Sequence, residues 1–216
     1  MPRIALIHAT PVAVAPVGDA FQRLWPEAVA YNLLEDSLAA DLESAGELDA
    51  PMTERFIRLA GYAADCGADG ILFTCSAFGI CIEAAASQLA PLPVLKPNEA
   101  MFAEALAAGQ RMGMVATFQP SVPSMESEFQ AMAAAVNPAA SISTVCTSEA
   151  MTALRAGDAV THNQLVAAAA SQLNDCDAIM LAHFSTAQAL EAVRSQATCP
   201  VLSSPASAVR HLKALI

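Results

Sequence analysis

At 216 residues, 55% hydrophobic and only 14% charged, the chain can bury a substantial core as one large domain or two small ones, and its composition argues against a disordered chain. A net charge of −11 without any basic stripe argues against a nucleic-acid partner. Pro, Gly or a charged residue interrupts every apolar run before it reaches bilayer length, so no membrane span is expected.

Arg3, the apolar stretch after it and Ala13-Val14-Ala15 imitate a signal peptide. His8, Pro11 and Pro16 break the apolar helix that a signal needs, and residues 4–7 read better as a first strand, so the chain is expected to be cytoplasmic. The six cysteines (Cys66, Cys75, Cys81, Cys146, Cys176, Cys199) form no CxxC pair, and the four histidines are scattered. Reduced thiols are the simplest account, with neither a disulfide framework nor a metal cluster.

In chain order, residues 3–7 form the first strand, followed by the loop His8-Ala9-Thr10-Pro11 and a loose Pro-containing segment to Gly18. A short helix is expected over 19–24, stopped by Trp25-Pro26, then a weaker strand over 28–33. Residues 36–47 are polar and read as a solvated surface loop or a mobile flap. From Thr53, which can cap a helix, Phe56, Ile57, Leu59, Ala60 and Ala63 supply an apolar helical face that Gly67 ends. Ile71, Leu72 and Phe73 then make a short run of the kind buried on both faces of a parallel sheet. Thr74-Cys75-Ser76 follows where that strand ends, before a helix over 82–89. A thiol placed there sits among backbone N–H groups that favour thiolate and can hold an anion, although most free cysteines are simply small buried residues.

The strand Val94-Leu95 and a helix over 99–108 lead to a strand over 111–116, which ends in Thr117-Phe118-Gln119-Pro120-Ser121. A helix over 125–136, a strand over 141–146 and a helix over 162–173 come next. The strand 178–181 ends in Ala182-His183-Phe184-Ser185-Thr186, a helix covers 188–194, and a strand at 200–202 precedes the last helix. Strands alternating with helices throughout give a parallel, doubly wound α/β architecture.

The two halves repeat one plan. Residues 69–76 align without a gap on 177–184 at an offset of 108, while Pro93-Val94-Leu95 and Ala9-Thr10 match Pro200-Val201-Leu202 and Ala116-Thr117 at 107. Cys75 and His183 therefore hold the same place at the end of corresponding strands, where ligands bind in such sheets. Two groups with pKa values near ~8.5 and ~6.5, facing one carbon acid, suit proton removal on one face and delivery on the other. The bland alternative for His183 is a core histidine with a satisfied ring.

Thr74-Cys75-Ser76-Ala77-Phe78-Gly79, then Pro93-Val94-Leu95 before Asn98-Glu99-Ala100, give the layout its family character. Arg111-Met112-Gly113-Met114-Val115-Ala116-Thr117 with Ser121-Val122-Pro123, and residues 177–187, continue it into the second half. Together these resemble the aspartate/glutamate/hydantoin racemase superfamily, closest to its hydantoin racemase-like branch. The resemblance implies two similar doubly wound parallel-sheet halves related by pseudo-twofold symmetry, with the site in the cleft between them. It also implies deprotonation α to a carboxylate or carbonyl, without metal or pyridoxal phosphate. The domains expected are 1–97 plus 204–216, carrying Cys75, and 98–203, carrying His183. The family's first catalytic cysteine falls on Cys75 and its second on His183. Members that racemise generally present a cysteine on each side, and arylmalonate decarboxylating relatives keep one, on the half opposite to Cys75.

The leading expectation is a cofactor-independent racemase or epimerase of a small carboxylate or cyclic amide, with Cys75 and His183 as acid and base. Thr10, Thr74, Ser76, Thr117 and Ser185, hydroxyls at the ends of corresponding strands, are the candidates for binding a substrate carboxylate; ordinary capping and turn roles compete for each. The alternatives are a decarboxylase or cis–trans isomerase of a small diacid using Cys75 alone, and a two-lobed binding module. A homodimer or higher homo-oligomer is open to such a chain.

Overall fold

A computed structural model describes the whole chain, Met1–Ile216. Its contacts divide into two units, Met1–Pro97 with Ala208–Ile216, and Asn98–Ser207.

The first unit carries β1 (Arg3–His8), α1 (Val14–Leu24), β2 (Val29–Leu34), α2 (Leu38–Ala45), α3 (Ala50–Asp65), β3 (Gly70–Phe73), α4 (Gly79–Leu89) and β4 (Val94–Leu95). Its four strands run parallel in the order β2-β1-β3-β4. The central pair, β1 and β3, is buried on both faces, which is why both read as unbroken apolar runs. Ala5, Ile7, Ile71 and Phe73 pack with Phe56, Ala60, Phe78 and Ile82 of the covering segments. Stacking of Phe56 on Phe73, with ring centroids 5.1 Å apart, anchors α3 beneath the strand that leads to Cys75.

The second unit carries α5 (Glu99–Ala108), β5 (Arg111–Ala116), α6 (Val122–Val136), β6 (Ser141–Cys146), α7 (Ser148–Arg155), α8 (Ala159–Ala170), β7 (Ala178–Leu181), α9 (Leu190–Arg194) and β8 (Val201–Ser203). The strands are again parallel, in the order β6-β5-β7-β8. One face packs Met112, Met114, Ala116, Met180 and Ala182 with Phe102, Met125 and Phe129, and the other packs Val115, Ile179 and Leu181 with Val166, Leu173 and Val193. Helix α10 (Ser204–Leu215) closes the chain. Its first residues belong with the second unit because Ser204 Oγ donates to Asn98 Oδ1 at 2.6 Å and lies 3.2 Å from the Leu181 carbonyl. Its end returns to the first unit, where Leu212 and Ile216 lie so close over Gly70 that a Cβ there would meet the Ile216 Cδ1 at 2.8 Å.

The repeat is visible bond by bond, and its strand pairing corrects one match read from the sequence: Ala116 takes the place of His8 rather than of Ala9, so Thr117 corresponds to Ala9 and not to Thr10. The Arg3 N–H donates to Asp69 Oδ2 at 2.8 Å, and the Arg111 N–H to Asp177 Oδ2 at 2.9 Å. Thr74 N–H reaches the Ile7 carbonyl at 3.0 Å, and Ala182 N–H the Val115 carbonyl at 3.1 Å. Ile71 and Ile179 donate likewise to the carbonyls of Pro93 and Pro200, at 2.8 and 2.9 Å.

Three local expectations change. Helix α1 starts at Val14 rather than at residue 19, because Pro16 falls in its first turn, where a missing N–H breaks no bond. Helix α3 is capped by Asp49, whose carboxylate accepts from Met52 N–H at 2.8 Å, and not by Thr53. Residues 36–47 contain α2, pinned by buried Leu38 and by Arg55, which binds Glu35 and lies 2.5 Å from Asp41 Oδ2. No helix is long and apolar enough to cross a membrane.

Candidate functional site

Beyond β3 the chain runs extended through Thr74 and Cys75 into a short 3-10 turn, Ser76–Phe78, and then α4. Cys75 has φ −117° and ψ 122°, is half-buried, and packs against the cluster of Phe56, Phe73 and Phe78. Burial pushes its thiol above the ordinary value, and the opposing hydrogen bond from the Ala77 backbone is the smaller effect. The turn therefore supplies the expected N–H donor, but desolvation wins and Cys75 rests as a thiol rather than as thiolate.

Thr74 is turned into the sheet. Its Oγ1 lies 2.9 Å from His8 Nδ1 and 3.4 Å from the Ile7 carbonyl, and the residue is only 5% exposed. His8 Nε2 in turn lies 2.8 Å from Asn32 Oδ1. Thr10 stands half-buried and extended just past β1, and Ser76 is buried in the first position of the turn. So Thr10, Thr74, Cys75 and Ser76 gather at the carboxyl ends of adjacent strands, with Thr74 facing inward. His8 was not among the residues singled out from the sequence, because it reads there as the start of a loop; it is instead the last residue of β1.

In the second unit, His183 follows β7 with φ 73° and ψ 137°, a backbone region that favours glycine. Its ring tautomer follows from its neighbours. The Thr117 N–H points at Nδ1 from 3.3 Å, so Nδ1 is the bare acceptor. Ser121 Oγ gives its proton to the Phe118 carbonyl at 2.8 Å, so at 2.9 Å it must accept the proton on Nε2. The Thr117 hydroxyl stands 3.4 Å from Nδ1. Burial holds the imidazole neutral, with its pKa lowered to about 4. Thr186 Oγ1, 2.7 Å from the carbonyls of both Ala182 and His183, braces the unusual backbone.

Thr117 and His183 are thus brought into contact, and Ser185 lies buried two residues further, its carbonyl accepting from Gln188 Nε2 at 2.9 Å. Ser121 was missed as a site residue; its sequence signals are its place after β5, four residues past Thr117, and its part in the Ser121-Val122-Pro123 stretch that carries the resemblance. The tautomer also rules on chemistry: a serine nucleophile needs a bare Nε2 to take its proton, and here Nε2 is protonated. What the two loops offer is a thiol that carries a proton and an imidazole that lacks one. In the first unit Lys96 Nζ pairs with Glu83 at 2.7 Å and Arg55 with Glu35.

The family described as Asp/Glu/hydantoin racemase matches residues 16–150, a stretch that takes in Cys75, Thr117 and Ser121 and ends before His183. No curated protein sequence matches the chain. Among solved structures, allantoin racemase from Klebsiella pneumoniae superposes with a TM-score of 0.74 at 15% identity, covering 100% of this chain and 87% of that one. Aspartate racemase from Picrophilus torridus gives 0.74 at 15% identity, covering 100% and 94%. A Gly74Cys mutant of arylmalonate decarboxylase gives 0.70 at 19% identity, covering 99% and 93%. At such identities these likenesses show the α/β fold.

Proposed function

The chain belongs to the Asp/Glu/hydantoin racemase family and is an isomerase of the racemase kind; we propose that Cys75 and His183 are its acid/base pair, acting on the carbon α to a carboxylate or carbonyl of a small amino-acid-like or hydantoin-like substrate. The observation that carries this is the complementary proton content of two groups at the same position of the repeat. His183 Nδ1 removes the α-proton while the C–H electron pair moves into the adjacent carbonyl, and the Cys75 S–H then protonates the carbon on its other face. The step leaves imidazolium and thiolate, which is one proton shared between two groups, as in a thiol/thiolate pair. The two contacts to Nδ1, at 3.3 and 3.4 Å, are long, and Nδ1 gives them up when it takes the proton.

Turnover in D₂O with a panel of chiral α-carboxylates, hydantoins and related cyclic amides tests the reading. The expected result is label at the α-carbon of the inverted enantiomer, lost in both Cys75→Ala and His183→Ala. Full activity in Cys75→Ala would sink it. Because the reacting form has neutral His183, the acid limb of kcat/KM should lie near pH 4, where that ring takes up a proton. A limb near pH 6.5 would mean an ordinary, exposed histidine.

A second reading has one observation behind it: both ring nitrogens of His183 are engaged, as in a binding group. Cys75 would then act alone in decarboxylation or cis–trans isomerisation of a small diacid; CO₂ release with one-sided label would identify the first, and interconversion of the two diacid isomers without CO₂ release the second. A cytosolic location and a homodimer are further proposals, checked by fractionation and light scattering.

A further inference from the structure

We propose that His8 is a positioning residue for Cys75, acting through Thr74 as the middle of a relay Asn32–His8–Thr74 across three strands of the first sheet. It deepens the function proposed above and rests on Cys75 being the reacting thiol.

Strand register sets the geometry. Ile7 pairs with Phe73 and His8 with Leu34, so His8, Thr74 and Asn32 project from one face of the sheet at its carboxyl end. Asn32 Oδ1 can only accept, so His8 Nε2 carries the ring proton and donates it over 2.8 Å. Nδ1 is then bare and takes the Thr74 hydroxyl proton over 2.9 Å. His8 has no exposed surface, and burial lowers its pKa, so the neutral ring that this pattern requires is also the one its surroundings favour. The relay clamps the residue immediately before Cys75, at the point where the chain leaves the sheet.

The second unit supplies the control. Its backbone repeats the same bonds at the same register, yet Ala116 stands where His8 does and Ala182 where Thr74 does, both within an apolar cluster. Thr144 takes the place of Asn32, and its buried Oγ1 has no partner. The fold therefore builds this strand end from two alanines, and the polar relay occurs in the half that carries the thiol. A buried histidine and threonine that folding does not need are accounted for by holding the strand end that presents Cys75.

The test needs no substrate. Alkylation of Cys75 by iodoacetamide, followed by peptide mapping, is compared in wild type, His8→Gln, Thr74→Val and the double variant, with circular dichroism and melting as fold controls. Freeing the strand end exposes the thiol and lets it ionise nearer its ordinary value, so each single variant should react about fivefold faster or more, and the double variant no faster than the faster single. If His8→Gln fails to fold, Thr74→Val and Asn32→Leu, the latter on the exposed edge strand, carry the comparison. Rates unchanged in the folded variants, or effects that multiply in the double, would overturn the relay. The ¹⁵N spectrum of the wild-type ring should report protonated Nε2 and bare Nδ1, and the reverse tautomer would also overturn it. Loss of the racemase reading through an active Cys75→Ala would leave the tautomer and alkylation results standing, so the two failures are separable.

Discussion

His183 combines a backbone that strains the chain with a ring that neighbours hold in place, and the two can be measured apart. At φ 73° and ψ 137° a Cβ is disfavoured, at a cost of about 1–3 kcal/mol. Replacing His183 by Ala or by Gly removes the ring equally, so the difference between the two variants reports the backbone alone. Elsewhere Gly is the less stable of such a pair; here His183→Gly should melt higher than His183→Ala, by about 1–2 kcal/mol. Equal melting would show that the backbone relaxes freely. The ring gives a pH effect of definite sign. Its folded pKa is about 4 against an unfolded value near 6.5, so the unfolded chain binds more protons between these limits. The ring's contribution to stability is complete above about pH 6.5, falls as the pH drops and levels off below about 4, with a span of about 3 kcal/mol. His8, also lowered by burial, adds to the loss in the same direction. In His183→Asn the acid slope of Tm should shrink, leaving the His8 part.

Between residues and the whole, elements differ in how openly the sequence declares them. β1, β3, β5 and β7 are buried on both faces over at least four consecutive positions, so their composition alone identifies them. Helices α2 and α7 are short, half-exposed and polar, and their order comes from tertiary ties that leave no periodic trace. Leu38 is the buried anchor of α2, and Arg55, two turns into another helix, supplies the rest by binding Glu35 and Asp41. The site was legible to the same degree. Cys75 and His183 stand out because they end corresponding runs, whereas Ser121 and His8 join the candidate site through contacts to residues 62 and 66 positions away. Arg55→Gln should release α2 with little global effect, since partly exposed ion pairs contribute about 1 kcal/mol or less each. Amide exchange across Leu38–Ala45 should quicken about fivefold or more while the melting temperature moves by only a few degrees. Unchanged exchange there would mean that Leu38 alone holds the helix.

The molecule as a whole is two copies of one βαβ plan, and the same carboxylate fastens the entry of each. Asp69 accepts from the Arg3 N–H, and Asp177 from the N–H groups of Gln110 and Arg111 and from the Arg111 guanidinium at 2.9 Å. Those backbone donors, then the guanidinium, lower Asp177 to about 2. Gly109 is required beside it, since a Cβ there would meet Asp177 Cβ at 2.5 Å. A depressed carboxylate stabilises the fold above its unfolded pKa of about 3.8, and that contribution fades as the pH falls toward 2. Asp177→Asn keeps the shape but halves the acceptor capacity, stranding N–H donors where β5 begins. At neutral pH it should therefore lower the melting temperature and speed amide exchange at the start of β5 and β7, and below about pH 2 the difference from wild type should close. Asp69→Asn should likewise speed amide exchange at the start of β1 and β3, more weakly, because one backbone N–H donates to Asp69 against two and a guanidinium at Asp177. If the two variants left exchange at their own strand entries unaltered, the clasp would be incidental to the repeat. If Asp177→Asn stayed destabilised below pH 2, its effect would come from packing rather than from charge.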